Sequence, residues 1–359
     1  MKVLIVGLGY AGTRLGQAFR SLWAERNVAD CEIAYVGRTH HRQDMRYFAS
    51  LTVAIDEFSP HIIVLSVNDV YRADVSEEMS GFSGFVICEK PFTCPWDNLQ
   101  RVSSYFASTS GFCLDLVERY STITDSLRDF VEAHNLELLR ANFTWGKDRI
   151  GDHRPTCGVT SEIIHPLDIV RYVSSPSSFY QIKHAHGVRS DFSISGLDVV
   201  DSVAVLAGLG GATVSGYASF VNASRRREIG FIFTRKSGKL VFANMIFDDP
   251  TWDDDQLRVW EIDEAAERNL VDEHAKPEVS STGDQGIKKL TRLVSDVSDF
   301  VTYGVQPARP FPDLEVTIEL QRTLNEIHES VVASSYVMGY ARFAPLPVAT
   351  KNGSWERLG

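Results

Sequence analysis

Apolar positions along the chain fall into two textures. In the first third, short aliphatic runs alternate with amphipathic stretches. Val3–Val6, Glu32–Val36, Ile62–Ser66, Phe85–Cys88 and Phe112–Val117 read as strands buried on both faces. Between them, helical spacing predicts helices over Thr13–Trp23, Arg42–Leu51, Val53–Phe58 and Trp96–Ser108. In the first of these, Leu15, Ala18, Phe19 and Leu22 share one side. Strand and helix in alternation imply a parallel, doubly wound sheet with right-handed crossovers.

After Tyr120 the pattern changes. A helix is expected over Ser121–His134, a strand over Glu137–Trp145, a polar loop over Lys147–Gly158 and a helix over Val159–Val173. Six strand candidates then follow one another: Phe179–Val188, Ser202–Ala207, Ala212–Val221, Ile229–Thr234, Lys239–Phe247 and Leu257–Ile262. With no crossover helix between them, they imply an antiparallel sheet. Helices over Asp284–Tyr303 and Asp313–Val332 close the pattern.

The loop after the first strand adds chemistry. Gly7, Gly9 and Gly12 fall on G-x-G-x-x-G spacing between a strand and a helix, the context in which that spacing binds a dinucleotide. Gly7 permits the tight turn and Gly9 lets the backbone approach a pyrophosphate. Gly12 allows close helix–strand packing, and the helix N-terminus faces the anion. Tyr10 and Ala11 complete the candidate phosphate loop. The first domain is thus expected to be an α/β Rossmann domain over 1–118. An α+β C-terminal domain with a large, mainly antiparallel open sheet is expected over 119–345. Residues 346–359 are expected to form a tail.

The tip of the second strand bears on cofactor type. NAD-binding folds place Asp or Glu there to hold the ribose 2′-hydroxyl. This strand instead runs into Gly37-Arg38-Thr39-His40-His41-Arg42. Arg38 and Thr39, helped by Arg42, suit a 2′-phosphate, so NADP is expected ahead of NAD.

Composition narrows the class. A chain of 359 residues has room for two substantial cores, and 44% hydrophobic with 23% charged residues is ordinary for a globular protein. The net charge of −11 argues against nucleic acid or an anionic membrane as main partner. No apolar run is long enough to span a bilayer, and the N-terminus lacks a secretory pattern. Five cysteines without C-x-x-C spacing read as reduced thiols of a cytoplasmic protein.

Two charge runs invite sites. Arg225-Arg226-Arg227 is expected in a solvated turn, with a nucleotide-sugar phosphate site as the alternative. Asp248, Asp249, Asp253, Asp254 and Asp255 crowd another turn, but no Cys or His joins them, and no metal is expected.

After the fourth aliphatic run stands Glu89-Lys90-Pro91, which puts a lysine at the crevice end of a parallel strand. The glycine loop, this tripeptide and Cys157-Gly-Val-Thr-Ser-Glu-Ile-Ile-His165-Pro-Leu-Asp168 together resemble the glucose-fructose oxidoreductase / inositol dehydrogenase / rhizopine-catabolism (Gfo/Idh/MocA) family. The resemblance runs to about Ala344. It implies nicotinamide-dependent hydride transfer at a carbinol or ketone carbon of a sugar or cyclitol. Lys90 and His165 are then the catalytic candidates. The family aspartate is Ser161 here, with Glu162 its possible substitute. Ser66-Val67-Asn68 takes the place of the family's Thr-Pro, so Ser66, Asn68, Glu89 and Lys90 join the cofactor-binding candidates. Arg119-Tyr120 at the domain junction, and Trp145, Arg149 and Arg154 before the second-domain helix, are the substrate-binding candidates. Asp168 is read as structural.

Three other chemistries share this pattern: NADPH-dependent C=N reduction, NAD-assisted glycoside cleavage, and ligand sensing without catalysis. The resemblance also implies that 119–345 is a substrate-binding and oligomerisation domain, since the exposed sheet face commonly forms a subunit interface in that family. Apolar residues on both faces of Ala212–Val221 and Lys239–Phe247 allow this, so a homodimer or homotetramer is expected.

Overall fold

The computed structural model describes the chain apart from residues 39–41, 43, 152–154, 191–192, 194–197, 264–265, 276–286, 335, 339–347, 350–354 and 357–359. It divides into two compact units. One comprises Met1–Thr122, Thr251–Asp253 and Ala275–Gln321, the other Ile123–Pro250, Asp254–His274 and Arg322–Gly359.

The first unit begins with β1 (Lys2–Val6), α1 (Tyr10–Glu25), β2 (Glu32–Val36), β3 (Arg46–Phe48) and α2 (Leu51–Phe58). It continues with β4 (Ile62–Leu65), α3 (Asp69–Glu77), β5 (Phe85–Glu89), α4 (Leu99–Ser104) and β6 (Gly111–Asp115), and a 3-10 turn spans Val117–Tyr120. The strands form one sheet in the order β3-β2-β1-β4-β5-β6, with every neighbouring pair parallel. Chain order reverses between β1 and β4, and the carboxyl edge at such a switch point is where open α/β sheets bind ligands. Val3, Leu4, Ile5 and Val6 are buried, as a strand covered on both faces requires.

Residues 42–51, expected as a helix, instead contain β3. Ala34, Tyr35 and Val36 pair in register with Arg46, Tyr47 and Phe48, so sheet extension wins over a short helical period. The helix starts only at Leu51, where the Ser50 side chain accepts from the Val53 amide. Helix α3 was not expected from the pattern; Asn68 caps it in the same way through the Val70 amide.

The second unit holds α5 (Thr122–Ala133), β7 (Glu137–Asp148), α6 (Thr160–Ser174), β8 (Tyr180–Ser190), β9 (Ser202–Leu209) and β10 (Ala212–Ser219). Then come β11 (Val221–Thr234), β12 (Leu240–Ile246), β13 (Asp255–Asp263) and β14 (Ala266–Ala275), the last not foreseen. Their sheet runs β14-β13-β12-β11-β7-β10-β9-β8-β15, where β15 is Tyr336–Met338. It is mainly antiparallel, with β7–β10 and β8–β15 parallel. Burial alternates as a one-sided sheet demands: Ile229, Phe231 and Phe233 of β11 and Val241, Ala243 and Met245 of β12 are buried.

Strand β11 begins at Val221, so Arg225–Arg227 lie in a strand and not in the expected turn. Strand parity puts Arg227 inward with Ile229, while Arg226 points out and pairs with Glu228 at 2.7 Å.

Two helices follow β14: α7 (Lys288–Tyr303) and α8 (Leu314–Ser334), which begins in the first unit and ends in the second. Leu290, Leu293, Val294 and Val297 of α7 join Leu15, Ala18, Phe19 and Leu22 of α1 in one core. Arg26 reaches Asp299 at 2.5 Å alongside. The segment 275–321, expected in the C-terminal domain, thus returns to the first unit. The apolar stripe of α1 needs a partner helix, and α7 supplies it.

Candidate active site

The glycine loop leaves β1 at the switch point. The Gly7 amide donates to Val36 O at 3.0 Å and the Ser66 amide to Val6 O at 2.9 Å, which ties the ends of β1, β2 and β4 together. Ser66 Oγ donates to Gly7 O at 2.7 Å. A Cβ at Gly12 would collide with the Gly7 carbonyl oxygen and lie 2.5 Å from Ser66 Oγ, so only glycine fits this helix–strand contact. A Cβ at Gly9 would meet nothing within 4 Å. Helix α1 starts there with no side-chain cap and no acid in its first turn. Its first amides therefore face open space beneath a positive helix end, the arrangement that receives a pyrophosphate. Tyr10 is 57% exposed and accepts a 2.6 Å hydrogen bond from Arg14, whose guanidinium also lies 4.7 Å over the Trp252 ring.

Past β2, Arg38 sits 5.9 Å over the Tyr71 ring. No carboxylate stands at Gly37 or Arg38. Arg42 is forked onto Asp44 at 2.8 and 2.9 Å, which commits its charge elsewhere. That bidentate pair holds the Asp44 carboxyl well below its usual range. Thr39 lies outside the described residues, as do His153 and Arg154.

Lys90 follows directly on β5, and its peptide bond to Pro91 is cis. Buried Arg72 of α3 donates to Pro91 O and, at 2.8 Å, to Val67 O. It thereby ties the Lys90 turn to the loop after β4. Nothing in the local pattern marks Arg72; only the missed capping signal of Asn68 would have placed it on a helix. Asn68, expected at the cofactor, uses its side chain as that cap.

The second unit gathers the other candidates. Gly158, with φ +98, opens α6, and a Cβ there would press on Val200 O at 2.8 Å. On α6, Glu162 and His165 are three residues apart and share a face. On β7, Trp145 and Lys147 are two apart and also share a face. The two faces meet. Trp145 and His165 stack with ring centroids 5.6 Å apart at 24°. Lys147 Nζ lies 2.8 and 2.6 Å from the two Glu162 oxygens. Glu162 is therefore fixed by Lys147, a residue the strand parity could have indicated. Arg149, one-third exposed, approaches Glu162 Oε1 at 3.5 Å. Behind Trp145, Arg227 lies 5.2 Å over the indole and pairs with Asp248 in full burial. Asp168 is buried, as expected for a structural role, and the Tyr180 hydroxyl nearby is pushed up by burial and then by Asp168.

Three substrate candidates are buried. Trp145 lies in β7 and is fully buried against His165, Arg227 and Phe247. Tyr120 is buried with its hydroxyl 3.7 Å from Cys113 Sγ, which with burial raises the phenol well above its usual range. Neighbouring Arg119 is buried and points Nη1 at Pro310 O, 3.4 Å away.

The acidic turn is divided among partners: Asp248 with Arg227, Asp254 with His274 at 2.5 Å, and Asp253 with the Lys288 amide at 2.8 Å. Among the described residues no group of His, Cys, Asp and Glu is placed to hold a metal ion, and no helix is long and apolar enough to cross a membrane. All five cysteines are free thiols.

Neither a protein-family model nor a curated protein sequence matches the chain. Solved structures do. UDP-N-acetylglucosamine 3-dehydrogenase GnnA from Acidithiobacillus ferrooxidans superposes with a TM-score of 0.68 at 14% identity, over 93% of this chain and 98% of that one. KijD10, a 3-ketoreductase from Actinomadura kijaniata in complex with NADP and TDP-benzene, gives 0.67 at 12% identity, over 95% and 99%. Levoglucosan dehydrogenase in complex with NADH gives 0.70 at 15% identity, over 93% and 98%. At such identities the shared property is the fold. The parallel Rossmann sheet with its glycine loop, followed by the large mainly antiparallel sheet, is the fold shared with these three proteins.

Proposed function

We propose that the protein is a nicotinamide-dependent oxidoreductase acting on a carbonyl or secondary-alcohol carbon of a sugar-like or cyclitol-like metabolite, with NADPH preferred. The observation that carries this reading is the open space at Gly9 beneath the uncapped N-terminus of α1, at the switch point of a parallel sheet. The names of the fold neighbours, two sugar-type dehydrogenases and a ketoreductase, agree with it.

When bound, the nicotinamide supplies or accepts the hydride. The residues of this chain do the rest. The first amides of α1 hold the pyrophosphate, and Gly9 lets them approach it. Arg38 receives the 2′-phosphate, since no carboxylate stands at the tip of β2 to hold a bare ribose. Lys90 and His165 are the residues assigned to the hydroxyl proton. Trp145 fixes the imidazole plane, and Arg149 presents a half-open guanidinium beside Glu162. The exposed Leu206, Tyr217, Leu240 and Ile262 of the second-unit sheet support assembly as a homodimer or homotetramer, which light scattering reads directly. Free thiols agree with a cytoplasmic location.

Fluorescence titration with NADPH and NADH, followed by a screen of keto-sugars and cyclic imines, tests the reading. NADPH binding with keto-sugar turnover is the expected result. NADH preference would overturn the role of Arg38, and imine turnover alone would move the chemistry to C=N reduction. Lys90→Met should bind cofactor as the wild type does while losing turnover at least a hundredfold, in line with removal of a general acid or base. Unchanged turnover would remove Lys90 from the mechanism.

A further inference from the structure

Glu89 ends β5 and Asp115 ends β6, and the parallel register places them side by side at the carboxyl edge of the sheet. Residues paired in register on parallel strands carry their side chains on the same face, so the two carboxyl groups are neighbours. Two ionised carboxylates offer only acceptors, so neighbours of this kind can bond to each other only with a proton on one of them. Asp115 is 5% exposed, and its Oδ1 has no hydrogen-bond partner among the described residues. The charged groups facing it are Glu89, Lys90 at the end of β5, and Arg14 from α1. Burial first, and then Glu89, push the Asp115 carboxyl well above its usual range, while Lys90 and Arg14 pull it back. Of the two, Asp115 is the buried one with an unpartnered oxygen, and so the better place for a proton.

We propose that Glu89 and Asp115 hold one proton between them, and that Asp115 is a positioning residue that sets, through Glu89, the charge beside Lys90. This rests on the reading of Lys90 as the proton-handling lysine. With the shared proton, Glu89, Asp115 and Lys90 sum to zero charge. Without it they sum to −1, the carboxyl–carboxylate bond is lost, and two anions hold the ammonium of Lys90 in its charged form. Turnover therefore falls on the alkaline side as the pair gives up its proton.

The test is isotope-edited infrared spectroscopy of the full chain without cofactor, with aspartate and glutamate carboxyl groups labelled. A protonated-carboxyl band at about pH 7 that titrates away at higher pH is expected, and Asp115→Asn should abolish it. The amide of Asp115→Asn is isosteric and can donate to Glu89, so the variant keeps the local shape. Its kcat/KM should lose the alkaline limb along which the wild type falls about tenfold per pH unit. Absence of the band in the wild type, or its persistence in Asp115→Asn, overturns the proposal. Lys90→Met separates the two readings. If that variant turns over normally while the band behaves as expected, Lys90 is misassigned and the shared proton stands. If the variant is inactive and the wild type has no band, the pair is misassigned and Lys90 stands.

Discussion

Lys147 Nζ lies 2.6 Å from Glu162 Oε2, and both side chains are almost wholly buried. One comes from β7 and the other from α6, so this ion pair pins the helix that carries His165 to the central strand of the sheet. Removing either partner leaves an uncompensated buried charge, which costs about 3–5 kcal/mol. Lys147→Met and Glu162→Leu should each destabilise by that order, and the double variant by clearly less than their sum. Urea unfolding in a double-mutant cycle measures this, and additive losses would mean that the pair is not coupled.

The glycine loop makes a sharper distinction. At Gly9 a methyl group enters open space, whereas at Gly12 it strikes the Gly7 carbonyl. Gly9→Ala should therefore melt within about 0.5 kcal/mol of the wild type while binding NADPH at least tenfold more weakly. Gly12→Ala should lose stability as well, by about 1–3 kcal/mol from overpacking. Differential scanning fluorimetry beside a cofactor titration reads both, and normal cofactor binding by Gly9→Ala would refute the pyrophosphate cradle.

Leu293 tests the return of the chain to the first unit. It is fully buried between α7 and α1. Leu293→Ala should cost about 2–5 kcal/mol, the range for a leucine truncated in a packed core. A drop below about 1 kcal/mol in the urea midpoint analysis would show that this contact does not form in solution.

His328, on α8, gives a pH signature. Burial, followed by repulsion from Arg189, lowers its folded pKa below the usual 6.5. The unfolded chain then binds the proton more readily than the folded one. This contribution is complete above 6.5 and is lost as pH falls through that value toward the folded pKa. Thermal melts between about pH 7.5 and pH 5 should show the wild type losing more stability on acidification than His328→Gln. Parallel curves would contradict the burial of this imidazole.

Much of the first unit was legible because its signals are local. The Val3–Val6 run, the glycine spacing and the stripe Leu15, Ala18, Phe19 and Leu22 each follow from the period of one element. The ends of β2, β4 and β5 could be found for the same reason. Errors came where a partner far away in sequence decided. Arg46–Phe48 became a strand because Ala34–Val36 offered an edge to extend. Arg227 went inward because β11 pairs with β7 from Arg226 onward, so its charge meets Asp248 and Trp145 instead of water.

The candidate site divides along the same line. Sequence alone determined which residue types stand at which positions: the glycines of the loop, Arg38 where an acid is usual, Lys90 after β5, and Glu162 and His165 three apart on α6. Periodicity and spacing carry that much, because they act within about ten residues. Only the tertiary structure decided what each side chain faces. It gave Glu162 to Lys147, stacked Trp145 on His165, buried Tyr120 against Cys113 and set Asp115 beside Glu89. Those outcomes depend on strand register and on which apolar face each helix buries, and both are settled by packing the whole chain, since a contact between distant residues leaves no mark in the local pattern of either.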